Sequence, residues 1–216
     1  MRRLVVLAAL LLVAATARAD DEPVVAQHMR FIERGNALTV NTTITKLFDS
    51  AAYNALDSGF TSTVFIRIWV YPSGSSDPVA FVALDRQVVY NLWDEEYELK
   101  FKEPGAPRRV FKEKRKSEAL KALTSLDGVA IAPLASLPLG SPTENVFNLA
   151  MQVELNPVSD QTLTEVRRWL TQGSGGGLDR GGAFFGSFVS VFVNPKIPAA
   201  DRVLRIRSQP FYRPRS

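Results

Sequence analysis

The stretch Thr61 to Tyr71, TSTVFIRIWVY, alternates, and nothing else in the chain constrains the fold as tightly. Val64, Ile66, Ile68 and Val70 fall on one side, and Phe65, Arg67, Trp69 and Tyr71 on the other. Side chains repeat every two residues only in a strand. The chain must therefore build a sheet with one face in a core and a second face partly covered. Residues 79–92 and 96–102 read as further strands joined near Trp93-Asp94-Glu95, after the turn PSGSSDP at 72–78. RVFK (109–112), VFNLAMQVEL (146–155), GSFVSVFVN (186–194) and RVLRIRSQ (202–209) extend the series, and VVAQHMRFIER and ALTVNTTI flank Gly35-Asn36 as a hairpin.

Three short helices interrupt the strands. KLFDSAAYNALDSG puts Phe48, Ala51, Ala52, Ala55 and Leu56 on one face, with Gly59 placed to end the helix in a left-handed turn. SEALKALTSLDG offers Ser117 as N-cap, Leu120, Leu123 and Leu126 inward and Gly128 as the stop. Ser159 to Leu170 is the third, with Ser159 as N-cap and Leu163, Val166 and Leu170 inward, running into a flexible glycine-rich loop at 173–182. Residues 129–144, broken by Pro133, Pro138 and Pro142, read as an irregular connection. Strands outnumber helices and follow one another through turns. The expected fold is mainly β, an antiparallel β-sandwich of Ig-like or C2-like architecture with two or three inserted short helices.

The N-terminus reads as a secretory signal peptide spanning 1–19. Arg2 and Arg3 precede an apolar run from Leu4 to Ala15, and Ala17-Arg18-Ala19 supplies a small-x-small cleavage site that leaves Asp20 first. At about 1.5 Å per residue the run spans about 18 Å, short of the ~30 Å hydrocarbon layer, so no transmembrane segment is expected after cleavage. The expectation is an exported protein, periplasmic or else extracellular, with residues 20–216 forming one β-rich domain. Residues 1–19 carry three Arg and no acid, which leaves 23 basic against 22 acidic side chains. That balance argues against a nucleic-acid partner. With no cysteine in the chain, neither disulfides nor a lipid-modified N-terminal cysteine are available.

The inventory of reactive side chains is thin. His28 is the only histidine, no Gly-x-Ser-x-Gly elbow accompanies it, and cysteine is absent. Nucleophilic triads and zinc sites draw on more, so no catalytic residue, metal ligand or cofactor site is expected. Asp94, Glu95, Glu96 and Glu98 form the densest acidic cluster, where hard oxygens suit calcium, although the spacing matches no EF-hand and a solvated turn fits better. GSGGGLDRGG (173–182) follows a helix and lacks the Gly-Lys-Ser/Thr of a phosphate loop. Positive charge gathers in KEKRK (112–116) and at the C-terminus, where Arg205, Arg207, Arg213 and Arg215 stand as the candidate partner-binding surface. Arg205 and Arg207, two apart on a strand, share one face. The partner that suits them is an envelope protein or an anionic lipid surface.

LTVNTTITKLFDSAAYNALDSGF, TVFIRIWVYPSGSSDPVAFVALDRQVVYNLWDEEYEL and VFNLAMQVELNP, in that order, resemble an uncharacterised exported proteobacterial family known only as a domain of unknown function. The likeness covers roughly residues 30–160 and rests on pattern and order; FFGSFVSVFVNPKIPAADRVLRIRSQPF departs from the family. It implies an envelope location and a compact β-rich fold, and carries over no site. Members are encoded near a membrane sensor kinase, which implies a link to envelope signalling. The expected function is therefore a non-enzymatic soluble envelope protein that binds or interacts. The alternatives are a lipid or small-ligand carrier with a pocket between its sheets, or a hydrolase with an unrecognised carboxylate site.

Overall fold

The computed structural model describes residues 23–103, 105–157 and 200–215. The leader, the third helix, the glycine-rich loop and the strand at 186–194 lie outside them. The alternating stretch forms β4 (Ser62–Pro72), which lies at the middle of the largest sheet. Around it stand β1 (Val25–Gln27), β5 (Ala80–Asn91), β6 (Glu96–Lys102), β7 (Arg109–Glu113), β10 (Phe147–Leu155) and β11 (Arg202–Ser208). The order is β1-β11-β10-β4-β5-β6-β7, antiparallel except where β1 runs parallel to β11. A three-stranded sheet of β2 (Arg30–Arg34), β3 (Ala37–Thr43) and β8 (Ser125–Pro133) covers one face, with β8 over β4 and β5. A third pairing joins β9 (Leu139–Gly140) to β12 (Arg213–Pro214) in parallel. The architecture is mainly β and layered, as expected, but the large sheet is mixed rather than wholly antiparallel. The chain's first described strand returns alongside its last long one.

Val64, Ile66, Ile68 and Val70 are each 0% exposed. Leu84, Leu99, Leu149 and Val153 extend this floor, and Leu38, Val40, Leu126 and Ile131 from the small sheet close over it in one continuous cluster. Burial of this kind is worth about 1.5–3 kcal/mol per large apolar side chain before chain entropy is counted. The hairpin turns at Gly35-Asn36, but the segment before it divides, because residues 25–27 leave to pair with β11.

Both helices differ from expectation in detail. α1 is only Ser50–Ala55, capped by Asp49, whose Oδ1 accepts from the Ala52 N–H at 2.8 Å. Six residues cannot carry a full apolar stripe: Leu56 is buried, Phe48 and Ala52 pack against the core, and Ala51 and Ala55 face solvent. Gly59 does adopt a left-handed φ of 77°. α2 is Lys116–Thr124, preceded by Arg115 with no side-chain cap, so Ser117 lies inside the first turn and is not the N-cap. Nor does Gly128 stop this helix. The chain turns extended at Ser125, and Asp127 and Gly128 stand together opposite Asn41 where the β3–β8 register slips. The Asn41 side chain bonds both, donating to Asp127 Oδ1 at 2.8 Å and accepting from Gly128 N–H at 3.1 Å. Gly128 has φ 66°, and a Cβ there would meet Arg34 Nη1 at 2.5 Å. It is a bulge glycine. Residues 129–133 accordingly belong to β8, and the irregular connection begins only at Leu134.

Candidate functional site

The outer face of the large sheet, away from the small one, carries an open groove of about 530 Å³. Arg205 and Arg207 of β11, Asn148, Ala150 and Gln152 of β10, Trp69 and Tyr71 of β4, and Val24 line it. Register explains the grouping. Arg207 stands opposite Ala150, Ala150 opposite Trp69, and Trp69 opposite Phe81, so one row across four strands runs cation, small residue, aromatic, aromatic. The Trp69 and Phe81 rings lie 5.4 Å apart, and Phe81 is 53% exposed. One rank along, Arg205 faces Gln152 and Gln152 faces Arg67. Arg67 is committed to Glu154 at 2.5 Å, and Gln152 donates to the same carboxylate at 2.6 Å. Among the described residues, the two arginines are the groove's only charged lining residues.

Of the four arginines singled out in the sequence, then, two come together on one face and two do not. Arg213 is a clamp. Its Nε and Nη2 donate to the two Glu33 oxygens at 2.8 and 3.2 Å, and its Nη1 donates to the Leu134 and Leu137 carbonyls at 3.0 and 2.5 Å. The hydrogen bond from Arg213 holds the Glu33 carboxyl below its usual range. Arg215 pairs with Glu144 at 2.9 Å on the surface. Beside β11, β1 covers Ile206 to Ser208, so this half of the last long strand presents a face and not an edge. Arg213→Ser is expected to lower the melting temperature by several degrees, because it strands two carbonyls and a carboxylate. Arg207→Ser should stay within about 0.5 kcal/mol of wild type. Paired thermal melts compare them, and equal losses would refute the division.

The acidic cluster disperses into local pairs: Asp94 accepts from Asn91 at 2.7 Å, Glu96 from Lys112, and Glu98 from Lys100 at 2.6 Å. Among the described residues no group of three or more His, Cys, Asp or Glu is arranged to hold a metal. His28 is exposed between β1 and β2. The basic run is likewise used locally. Lys116 Nζ lies 2.7 Å from Asp57 and 4.1 Å from the centre of the Tyr53 ring, and Asp57 also accepts from the Tyr97 hydroxyl. Burial, then that bond, holds the Tyr97 pKa well above its ordinary value.

Two features escape a sequence reading. Arg86, 2% exposed, points inward from β5. Its Nη1 donates to the carbonyls of Ala122 (2.9 Å), Leu123 (3.2 Å) and Ser125 (2.6 Å), its Nη2 lies 3.3 Å from Glu103, and the guanidinium sits over Phe101. Burial pulls its pKa down while Glu103 pushes it back up. The signal was available, since Leu84, Arg86 and Val88 share one phase of the alternation. The second feature is an apolar tip: Phe60, Leu92 and Trp93 are 79%, 62% and 95% exposed, with Gly59 against the Leu92 side chain.

No protein-family model, curated protein or solved structure matches the chain. Among the described residues, no helix is long and apolar enough to cross a membrane.

Proposed function

We propose that this chain is a non-enzymatic binding module of the bacterial envelope, exported by its leader, which holds its partner on the outer face of the large sheet around Arg205 and Arg207. The observation that carries this reading is the groove itself, in which, among the described residues, two arginines are the only charges beside a floor of Trp69, Tyr71 and Ala150. Such a surface attracts an anion and offers apolar area beside it. Binding is favoured over hydrolysis because the only histidine is a lone surface residue and the carboxylates at 94–98 are tied to neighbouring side chains where they are paired at all. The resemblance to an exported family supports the envelope address and leaves a signalling partner within this reading. The carrier alternative takes a changed form. Most of the layer between the sheets is filled by the core, with a pocket of about 420 Å³ at one end between Arg86, Phe101 and Glu103 of the large sheet and Ser125 to Ala130 of β8, and the groove lies outside it.

A photo-crosslinking residue at position 81, beside the groove, should capture envelope material in cells. Trp69→Ala together with Arg207→Glu should abolish that capture. The same probe at position 93, on the apolar tip, serves as comparison. Capture from position 93 alone, or capture from 81 indifferent to both substitutions, would overturn the assignment.

A further inference from the structure

We propose that this chain dimerises with a second copy of itself through β7, the two strands pairing edge to edge and antiparallel, with Phe111 opposite Phe111 of the second copy. The inference goes beyond the groove and does not depend on it. Its basis is that β7 complements its own reverse. Turning Arg109-Val110-Phe111-Lys112-Glu113 about its middle residue sets each Arg109 against Glu113 of the second copy, and each Val110 against Lys112. Opposite charges and aromatic rings directly across an antiparallel ladder are favourable pairs. A patch that pairs with itself closes on a two-fold axis and stops at two copies. The two seven-stranded sheets become one, with both grooves on the same side.

β7 is the last strand of the large sheet, and among the described residues it pairs only with β6. An open edge of this kind is a template for another strand unless something guards it. Here the guards are missing or used up. β7 contains no glycine or proline, and its register with β6 runs unbroken from Tyr97 opposite Glu113 to Phe101 opposite Arg109. Lys112, the residue type that protects an edge, already has its charge met by Glu96. Val110 is 57% exposed, and Glu113 has no ion-pair partner among the described residues. Arg109 lies 3.4 Å from Glu103, which keeps Arg86 when Arg109 turns to the seam. The other described edges lack this symmetry. β1 has three residues, β2 turned on itself would oppose Arg30 to Arg34, and β8 is bulged at Gly128. A uniformly acidic peptide fits β7 less well, because it meets Glu113 with a like charge. One feature opposes the dimer: Arg108 falls opposite Lys114 at both ends of the seam. It also supplies the sharpest test of register.

Sedimentation velocity of the purified chain over about 1–200 µM should show a monomer–dimer equilibrium, as suits a short seam. Glu113→Lys places like charges at both Arg109 positions and should raise the dissociation constant by about tenfold or more. Lys114→Glu turns both end contacts attractive and should lower it by about threefold or more. Arg30→Glu, the same change of charge on β2, should leave it within about twofold. Because the chain has no cysteine, single cysteines report the register directly. Phe111→Cys should form a disulfide-linked dimer under mild oxidation, since directly opposed residues lie within bridging distance. Val110→Cys, more exposed but about 8 Å from its own copy across the seam, should not. Circular dichroism checks that each variant is folded. A chain that stays monomeric throughout overturns the proposal. So does a dimer indifferent to Glu113→Lys, or one lost with Trp93→Ser instead, which would move the contact to the apolar tip. Faster crosslinking at position 110 than at 111 overturns the register, and with it the pairing proposed here.

Discussion

Arg86→Met is expected to destabilise the protein by about 3–5 kcal/mol, the range for removing one partner of a buried charged network. The side chain is 3% exposed, and three carbonyls at the junction of α2 and β8 depend on its Nη1. Methionine approximates the length and fills the space but donates nothing, so those carbonyls lose their donor and Glu103 keeps only Arg109, 3.4 Å away. Urea melts followed by far-ultraviolet circular dichroism provide the measurement. Adding Glu103→Leu to Arg86→Met should recover part of the loss, because it removes the carboxylate left behind. A single variant within about 0.5 kcal/mol of wild type would mean that water or backbone adjustment replaces the guanidinium.

Ile68→Ala should cost about 2–5 kcal/mol, the usual range for deleting a large aliphatic side chain from a packed core. Ile68 is 0% exposed and lies between Met151 and Val82 on the neighbouring strands. Its neighbour Arg67 faces the other way, and Arg67→Ala should cost less, about 1–3 kcal/mol. That figure is above the typical surface value because the Glu154 side chain is only 8% exposed, although Gln152 continues to donate to it. Arg67→Ala costing as much as Ile68→Ala would show that the outer ion pair, and not the filled inner face, sets the stability of this sheet.

Period-two stretches were the legible part of this fold. β4 lies where alternation placed it, because a half-covered sheet imposes that pattern directly on the sequence, and β5, β6, β10 and β11 fall within the other stretches read as strands. Gly128 shows where such reading fails. A glycine after a leucine-rich helical stretch looks like a helix stop, but its role depends on Asn41, far away in the chain and adjacent in space. Arg86 fails for the same reason: an arginine on an inward phase is explained only by carbonyls that another segment delivers. At the groove, Arg205 and Arg207 were legible as a same-face pair. Their companions Ala150 and Trp69 were not, since register across three strands is a tertiary property. Arg213 and Arg215 shared the composition of a cationic tail without sharing its position, because Glu33 and Glu144 draw them to other parts of the surface.

The parallel seam between the first described strand and the last long one bears on the order of assembly. Met29 N–H donates to Gln209 Oε1 at 2.9 Å, and Gln209 Nε2 donates to the Met29 carbonyl at 2.6 Å, across 180 positions of chain. Arg213 reaches Glu33 over the same separation. Contacts this distant form late and slowly, because a long loop must close before they repay it. β1 thus has no strand to pair with until β11, near the end of the chain, has been made, while β2 already has β3 beside it. The large sheet therefore closes on its first described strand only after nearly all of its other strands have been made.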